Sequence, residues 1–181
     1  LELGKLWPVY VLYGEEPFKI DEFIEKATEL FFKGQASDQF QIERIDAASA
    51  DGSEVLEKLQ SSGLFSKQQI LLVRNAQNLK HSDALFDELM KTEQAFDNPL
   101  FLIYESLDQR RKFHQWAKKK GVAIEFKRPL DDELFQWVNY LAKKKSFEVD
   151  QDASQLLAIV SEGSLYRLAQ ELEKAGLYAA S

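Results

Sequence analysis

The sequence contains no cysteine. That excludes a disulfide scaffold, a thiol nucleophile and a thiolate metal site, and it is compatible with a reducing cytosol. No apolar segment reaches the roughly 18–20 residues needed to span a bilayer, and no signal-like start is visible, so no membrane contact is expected. Histidine is scarce too. His81 and His114 lie far apart without ligand-type spacing, so both read as surface or boundary residues and no metal is expected. Positive charge is in the minority: 30 acidic residues against 23 basic give a net charge of -7. A surface that binds nucleic acid wholesale is therefore not expected, and only local Lys/Arg clusters remain as contact points. The chain starts Leu1-Glu2-Leu3 without an initiator methionine, which reads as a fragment or a processed form.

What is present is a globular composition. The 181 residues are 45% hydrophobic and 12% aromatic, enough to build a core of one large domain or two small ones. Pro8-Val9-Tyr10-Val11-Leu12-Tyr13 is a continuous apolar run ending at Gly14, the pattern of a strand buried on both faces. Pro17 suits the first turn of a helix whose inward stripe is Ile20, Phe23, Ile24, Ala27, Leu30 and Phe31, with Gly34 as its cap. Phe40–Ile45 partly alternates and reads as an edge strand. Asp51-Gly52-Ser53-Glu54 opens a short helix carrying Val55, Leu56 and Leu59. Ile70–Val73 and Leu100–Tyr104 are further central strands, separated by a helix that Ser82-Asp83 caps and Asn98-Pro99 breaks. Asp108 starts another helix with Phe113, Trp116 and Ala117 inward, closed by Lys118–Lys120 and Gly121, and Val122, Ile124 and Phe126 form a second edge strand. Five strands alternating with helices predict an α/β domain with a five-stranded parallel sheet over 1–129.

After Arg128-Pro129 the pattern becomes helical throughout. Asp131 caps a helix with Leu134, Phe135, Val138 and Leu141 inward. Asp150 caps one with Ala153, Leu156, Leu157 and Val160, closed by Gly163, and Ser164 caps the last, with Leu165, Leu168, Ala169 and Leu172. Residues 130–181 are expected to be a small three-helix lid domain.

An α/β domain followed by a helical lid is the architecture of nucleotide-hydrolysing machines, which carry a glycine-rich loop ending Gly-Lys-Ser/Thr after the first strand. Here that stretch reads Gly14-Glu15-Glu16-Pro17-Phe18-Lys19-Ile20-Asp21. Only Gly14 survives, Glu15 and Glu16 put negative charge where phosphate needs positive, Pro17 removes an amide, and no hydroxyl follows Lys19 to hold magnesium. The apolar strand that should end in a metal-holding carboxylate ends instead in Arg74-Asn75. Neither a Gly-x-Ser-x-Gly elbow nor a dinucleotide fingerprint occurs. The expectation is a degenerate, non-functional nucleotide site at Gly14, Glu15, Glu16 and Lys19, with no cofactor and no catalytic residues. The alternative is a nucleotide-binding ATPase with a divergent site.

One connector does not look like a loop. Leu59-Gln60-Ser61-Ser62-Gly63-Leu64-Phe65-Ser66-Lys67 joins a helix to a strand yet carries Leu64 and Phe65 side by side. Either the pair folds back under the helix, as in a generic scaffold, or it is an exposed anchor for a partner's pocket.

These pieces together resemble the delta subunit of the bacterial DNA polymerase III clamp loader. The resemblance rests on Pro8–Phe18, Gly63-Leu64-Phe65-Ser66-Lys67, Arg74-Asn75-Ala76, Leu107-Asp108-Gln109-Arg110-Arg111-Lys112 and Gly163–Lys174, in that order, and covers essentially the whole chain. It implies an AAA+-like, cytoplasmic replication protein that neither binds nor hydrolyses ATP. It also implies that the protein opens the beta sliding clamp by inserting Leu64 and Phe65, with Gln60, Ser61, Ser62 and Gly63 adding shape and hydrogen bonds. Other loader subunits, gamma/tau and delta prime, are implied partners through a helical collar domain for which no residues follow Ser181, and DNA is an indirect one. An active lid of this kind usually has an arginine three residues after the glycine corresponding to Gly163. Tyr166 stands there, with Arg167 beside it. Lys118–Lys120 and Lys143–Lys145 read as solvated helix ends, with a minor DNA role as the other reading.

Overall fold

The computed structural model describes residues 9–33, 40–60, 68–91 and 98–179. Two compact units divide the chain, Leu1–Phe126 and Lys127–Ser181.

The first unit holds β1 (Val9–Tyr13), α1 (Pro17–Phe31), β2 (Phe40–Asp46), α2 (Gly52–Gln60), β3 (Gln68–Arg74), α3 (Asp83–Lys91), β4 (Leu100–Tyr104), α4 (Lys112–Lys120) and β5 (Ala123–Glu125), with a 3-10 turn at Ala76–Asn78. The strands form one sheet in the order β2-β3-β4-β1-β5, and every described pairing is parallel. The continuous apolar runs are the three central strands and the alternating ones are the two edges, as burial on both faces requires. Successive side chains go to opposite faces. Val9, Val11, Leu71, Val73, Leu100, Leu102 and Tyr104 join Val55 and Leu59 of α2, Leu85, Phe86 and Leu89 of α3, and Phe113 and Ala117 of α4. Tyr10, Leu12, Ile70, Leu72, Phe101 and Ile103 meet Ile20, Ile24 and Ala27 of α1 on the other face. Tyr10 stacks on Phe101 with ring centroids 5.2 Å apart, and Phe23 of α1 stands edge-on to Tyr10 at 5.8 Å.

Several local expectations are corrected. Asp108 does not open α4. Its carboxylate accepts the Arg110 amide at 3.0 Å and the Arg110 guanidinium, closing a tight turn, so that the helix starts at Lys112 after Arg111. His114 is not a surface or boundary residue: it is 3% exposed, its ring lies edge-on to Tyr104 at 5.0 Å, and Nδ1 lies 2.9 Å from the Asp108 carbonyl oxygen. A carbonyl only accepts, so Nδ1 carries the proton. Asn98 is buried, and its Oδ1 accepts the Gln69 amide at 3.1 Å near the start of β3. The cap of α1 is Phe32, and the expected Gly34 lies outside the described residues.

The second unit is α5 (Asp131–Lys144), α6 (Gln151–Ser161) and α7 (Leu165–Ala179). Asp150 caps α6 by accepting the Ala153 amide at 2.8 Å, and Ser164 Oγ accepts the Arg167 amide at 3.3 Å at the start of α7. The residue before α5 is Leu130 and not Asp131. Its amide donates to Glu133 Oε2 at 3.3 Å, one half of a capping box. Leu134, Val138 and Leu141 of α5 and Leu165, Leu168 and Leu172 of α7 are buried as expected, whereas Phe135 is partly exposed. The clearest departure is α6. Of the four residues expected inward, Ala153, Leu157 and Val160 are half-buried and Leu156 is exposed, while the fully buried positions are Ser154, Ala158 and Ser161. Ser161 Oγ donates to the Ala158 carbonyl at 2.7 Å, which lets a hydroxyl sit inside at little cost.

Candidate functional site

In open parallel α/β sheets, ligands bind beyond the carboxyl ends of the strands, which makes the β1–α1 connection the first place to look. It is three residues long, Gly14–Glu16, between Tyr13 and Pro17. A phosphate-binding loop of the Gly-x-x-x-x-Gly-Lys type needs about eight residues to arch its amides around an anion. This loop instead closes on the chain leaving β5. The Phe126 amide donates to the Tyr13 carbonyl at 2.7 Å, and the Glu16 amide donates to the Phe126 carbonyl at 3.2 Å. Gly14 sits at φ 129°, and a Cβ there would collide with the Phe126 backbone, so the glycine serves close packing.

Glu16 fills the remaining role. It is 6% exposed, stands at the N-cap of α1, and its carboxylate accepts the Phe18 amide at 3.2 Å. The positive end of α1, which a phosphate would otherwise use, is thus occupied by a side chain of the same loop. Of the amides at 16–18, one goes to Phe126, one is lacking at Pro17 and one goes to Glu16. Glu15 is exposed and Lys19 is partly buried in the first turn of α1.

At the end of β3, where a magnesium-holding carboxylate would stand, Arg74 extends toward α1 and pairs Nη2 to Asp21 Oδ1 at 2.6 Å. Asn75 follows in the left-handed region at φ 55° and turns the chain into the 3-10 segment. Among the described residues no group of three or more His, Asp or Glu side chains could hold a metal ion. No described helix is long and apolar enough to cross a membrane.

Of the expected partner-binding residues, Gln60 is described. It is exposed at the last position of α2, directly after Leu59, which is 1% exposed. Ser61, Ser62, Gly63, Leu64 and Phe65 lie outside the described residues. The two elements that flank them are firmly set: α2 is anchored by Val55 and Leu59, and β3 pairs with β2 over its whole length.

Sequence reasoning registered the missing glycines and hydroxyl after β1 but not how the loop is closed. Glu16 as a cap had one visible signal, an acceptor side chain directly before a proline at the first helical position. The Arg74–Asp21 pair had none, because the two residues are 53 apart in sequence.

A family model described as DNA polymerase III, delta subunit, matches residues 10–127. The chain is 22% identical to DNA polymerase III subunit delta of Bacillus subtilis, over 96% of this chain and 53% of that protein. It is 26% identical to DNA polymerase III subunit delta of Escherichia coli, over 93% of this chain and 50% of the relative. It therefore spans about half the length of the curated relatives it matches. Among solved structures, the Bacillus subtilis DNA clamp loader delta protein superposes with a TM-score of 0.68 at 18% identity, covering 96% of this chain and 54% of that one. The RuvB Holliday junction branch migration motor of Thermotoga maritima gives 0.56 at 16% identity, covering 91% and 53%. These structural likenesses speak for the fold, and the match over 10–127 for descent: the chain belongs to the DNA polymerase III delta subunit family.

Proposed function

We propose that this chain is the clamp-gripping part of a clamp loader, which binds the DNA polymerase III beta sliding clamp and favours an open ring without nucleotide chemistry of its own. The observation that carries the reading is the Glu16 carboxylate capping α1 at the phosphate position, in a member of the delta family. Leu64 and Phe65 supply the anchor, and Gln60, Ser61, Ser62 and Gly63 supply shape and hydrogen bonds. Burying two such side chains is worth about 1.5–3 kcal/mol each, roughly half of the ~8 kcal/mol of a micromolar complex. Binding a ring conformation that cannot close shifts the clamp population toward the open state by the difference in affinity. ATP then acts in sister subunits of the gamma/tau and delta prime type, and DNA is reached within the assembled loader.

Surface plasmon resonance against the sliding clamp, beside a Leu64→Ala/Phe65→Ala variant, tests this directly. At least a tenfold loss in a still-folded variant is expected. No binding by the parent, or equal binding by both, removes the proposal. Millimolar ATP is expected to leave the melting temperature unchanged. A clear rise would favour a divergent nucleotide site instead.

A further inference from the structure

We infer, on the clamp-gripping reading, that Gln69 is a positioning residue for the clamp contact. It ties the last turn of α2 to the start of β3, and Asn98 holds it in place. The connector 61–67, which carries Leu64 and Phe65, therefore leaves and returns at two ends of set separation.

The last four carbonyls of a helix have no partner within it. In α2 one of them, that of Lys58, accepts Gln69 Nε2 at 3.5 Å, from the far side of the connector. The Lys58 ammonium pairs with Glu43 Oε1 of β2 at 2.7 Å, and Glu54 Oε1 lies 3.9 Å from it one turn back. One residue thus fastens the end of α2 to both β2 and β3. Gln69 in turn is fixed through its backbone. Pairing of β3 with β2 begins at Gln68, whereas pairing with β4 begins only at Leu71, opposite Leu100. Asn98, 3% exposed, reaches into that gap, and its Oδ1 accepts the Gln69 amide at 3.1 Å. The Pro99 carbonyl accepts the Leu71 amide at 3.0 Å beside it. A side chain takes the place of a strand there, and two residues 29 apart in sequence converge on one end of the connector.

Holding both ends restricts the conformations open to the connector before it binds, and less ordering remains to be done at the clamp. Where only a fraction of molecules is competent to bind, apparent affinity scales with that fraction. The change then falls on association, whereas loss of a direct contact falls on dissociation.

Gln69→Met removes the donor at similar length, and Gln69→Val removes it with a strand-forming residue. In surface plasmon resonance against the sliding clamp, both are expected to associate about fivefold more slowly than the parent, at unchanged dissociation rate and melting temperature. An unchanged association rate in either folded variant overturns the role. So does faster dissociation alone, which would make Gln69 a clamp contact, and so does a slowing that comes with a lower melting temperature, which would make the tie merely structural. Lys67 gives trypsin a site within the connector. Both variants are expected to be cut there about fivefold faster in the folded chain. Equal cleavage in parent and variants overturns the tie even where the clamp still binds. A parent that binds no clamp removes the clamp-gripping reading and the positioning role together, and the cleavage rates distinguish that case from a failed tie.

Discussion

In the α/β unit, β1, β3 and β4 send alternate side chains into two sealed faces, and ten of the twelve largest fully buried side chains of the described residues belong to that unit. In the helical unit the fully buried large side chains belong to α5 and α7, while the fully buried positions of α6 are two serines and an alanine, its Leu157 and Val160 are half-buried, and its Leu156 and Ile159 are exposed. Both units draw on the same apolar residue types. A sheet buried on both faces leaves no outward side for its central strands. A three-helix unit keeps an outward side on every helix, so Leu156 and Ile159 of α6 stand exposed while Leu157 and Val160 are half-buried.

This contrast can be broken experimentally, beginning with the sealed region. Phe101→Ala removes a ring at 0% exposure that stacks on Tyr10, and urea denaturation should show a loss of about 3–5 kcal/mol. Gly14→Ala combines a backbone at φ 129° with a collision against Phe126. A loss of about 3 kcal/mol is expected by the same measurement, and a loss under about 0.5 kcal/mol would mean the loop is not held closed by Phe126. In the helical unit, Asp150→Ala removes the α6 cap and should cost about 1 kcal/mol.

Acid should act first on the α/β unit. Burial holds the His114 pKa below its ordinary value of 6.5, against a partly opposing hydrogen bond to the Asp108 carbonyl, and Arg111 and Lys118 add to the lowering. A base with a lowered pKa in the folded chain binds its proton more readily when unfolded. Its contribution is therefore fully present above about pH 6.5 and declines as pH falls below that value. A thermal-melt series should show the decline, and a His114→Gln variant should flatten it. The smallest effect belongs to the exposed helix face: Ile159→Ser should change stability by no more than about 0.5 kcal/mol, since the side chain is 73% exposed. A loss above about 2 kcal/mol would place Ile159 in a core and dissolve the contrast.

The sheet was legible because its signal is redundant. Ile70–Val73 and Leu100–Tyr104 are apolar without interruption, while Phe40–Ile45 alternates, and that alone separates centre from edge in the order β2-β3-β4-β1-β5. The helix α6 was not legible, because two stripes fit its period. Ala153, Leu156, Leu157 and Val160 make the more hydrophobic one, and the buried face is centred on Ser154, Ala158 and Ser161, with Ala153, Leu157 and Val160 half-buried at its margin and Leu156 outside it. Hydrophobicity alone ranks the first higher, and it does not show that the face is rotated toward Ser154, Ala158 and Ser161. Asp108 and His114 failed for a related reason. The turn that moves the start of α4 to Lys112 depends on a bond to Arg110, and the burial of His114 depends on Tyr104 and on that same turn. At the candidate site, the missing hydroxyl and glycines were legible as residue types, whereas the closure by Phe126 needed the fifth strand in place.

The Glu16 cap sets what an anion would have to displace at the N-terminus of α1. A loop that merely lacked donors could regain them one substitution at a time. This loop carries its own carboxylate at the helix end, so a dissolved anion there competes with a tethered group. Replacing Glu16 alone would free one amide and leave Pro17 and the three-residue span as they are. Lengthening the loop alone would leave the carboxylate in possession of the helix end. Each of these changes leaves the others in place, so opening this helix end to an anion takes the cap, the proline and the loop length together.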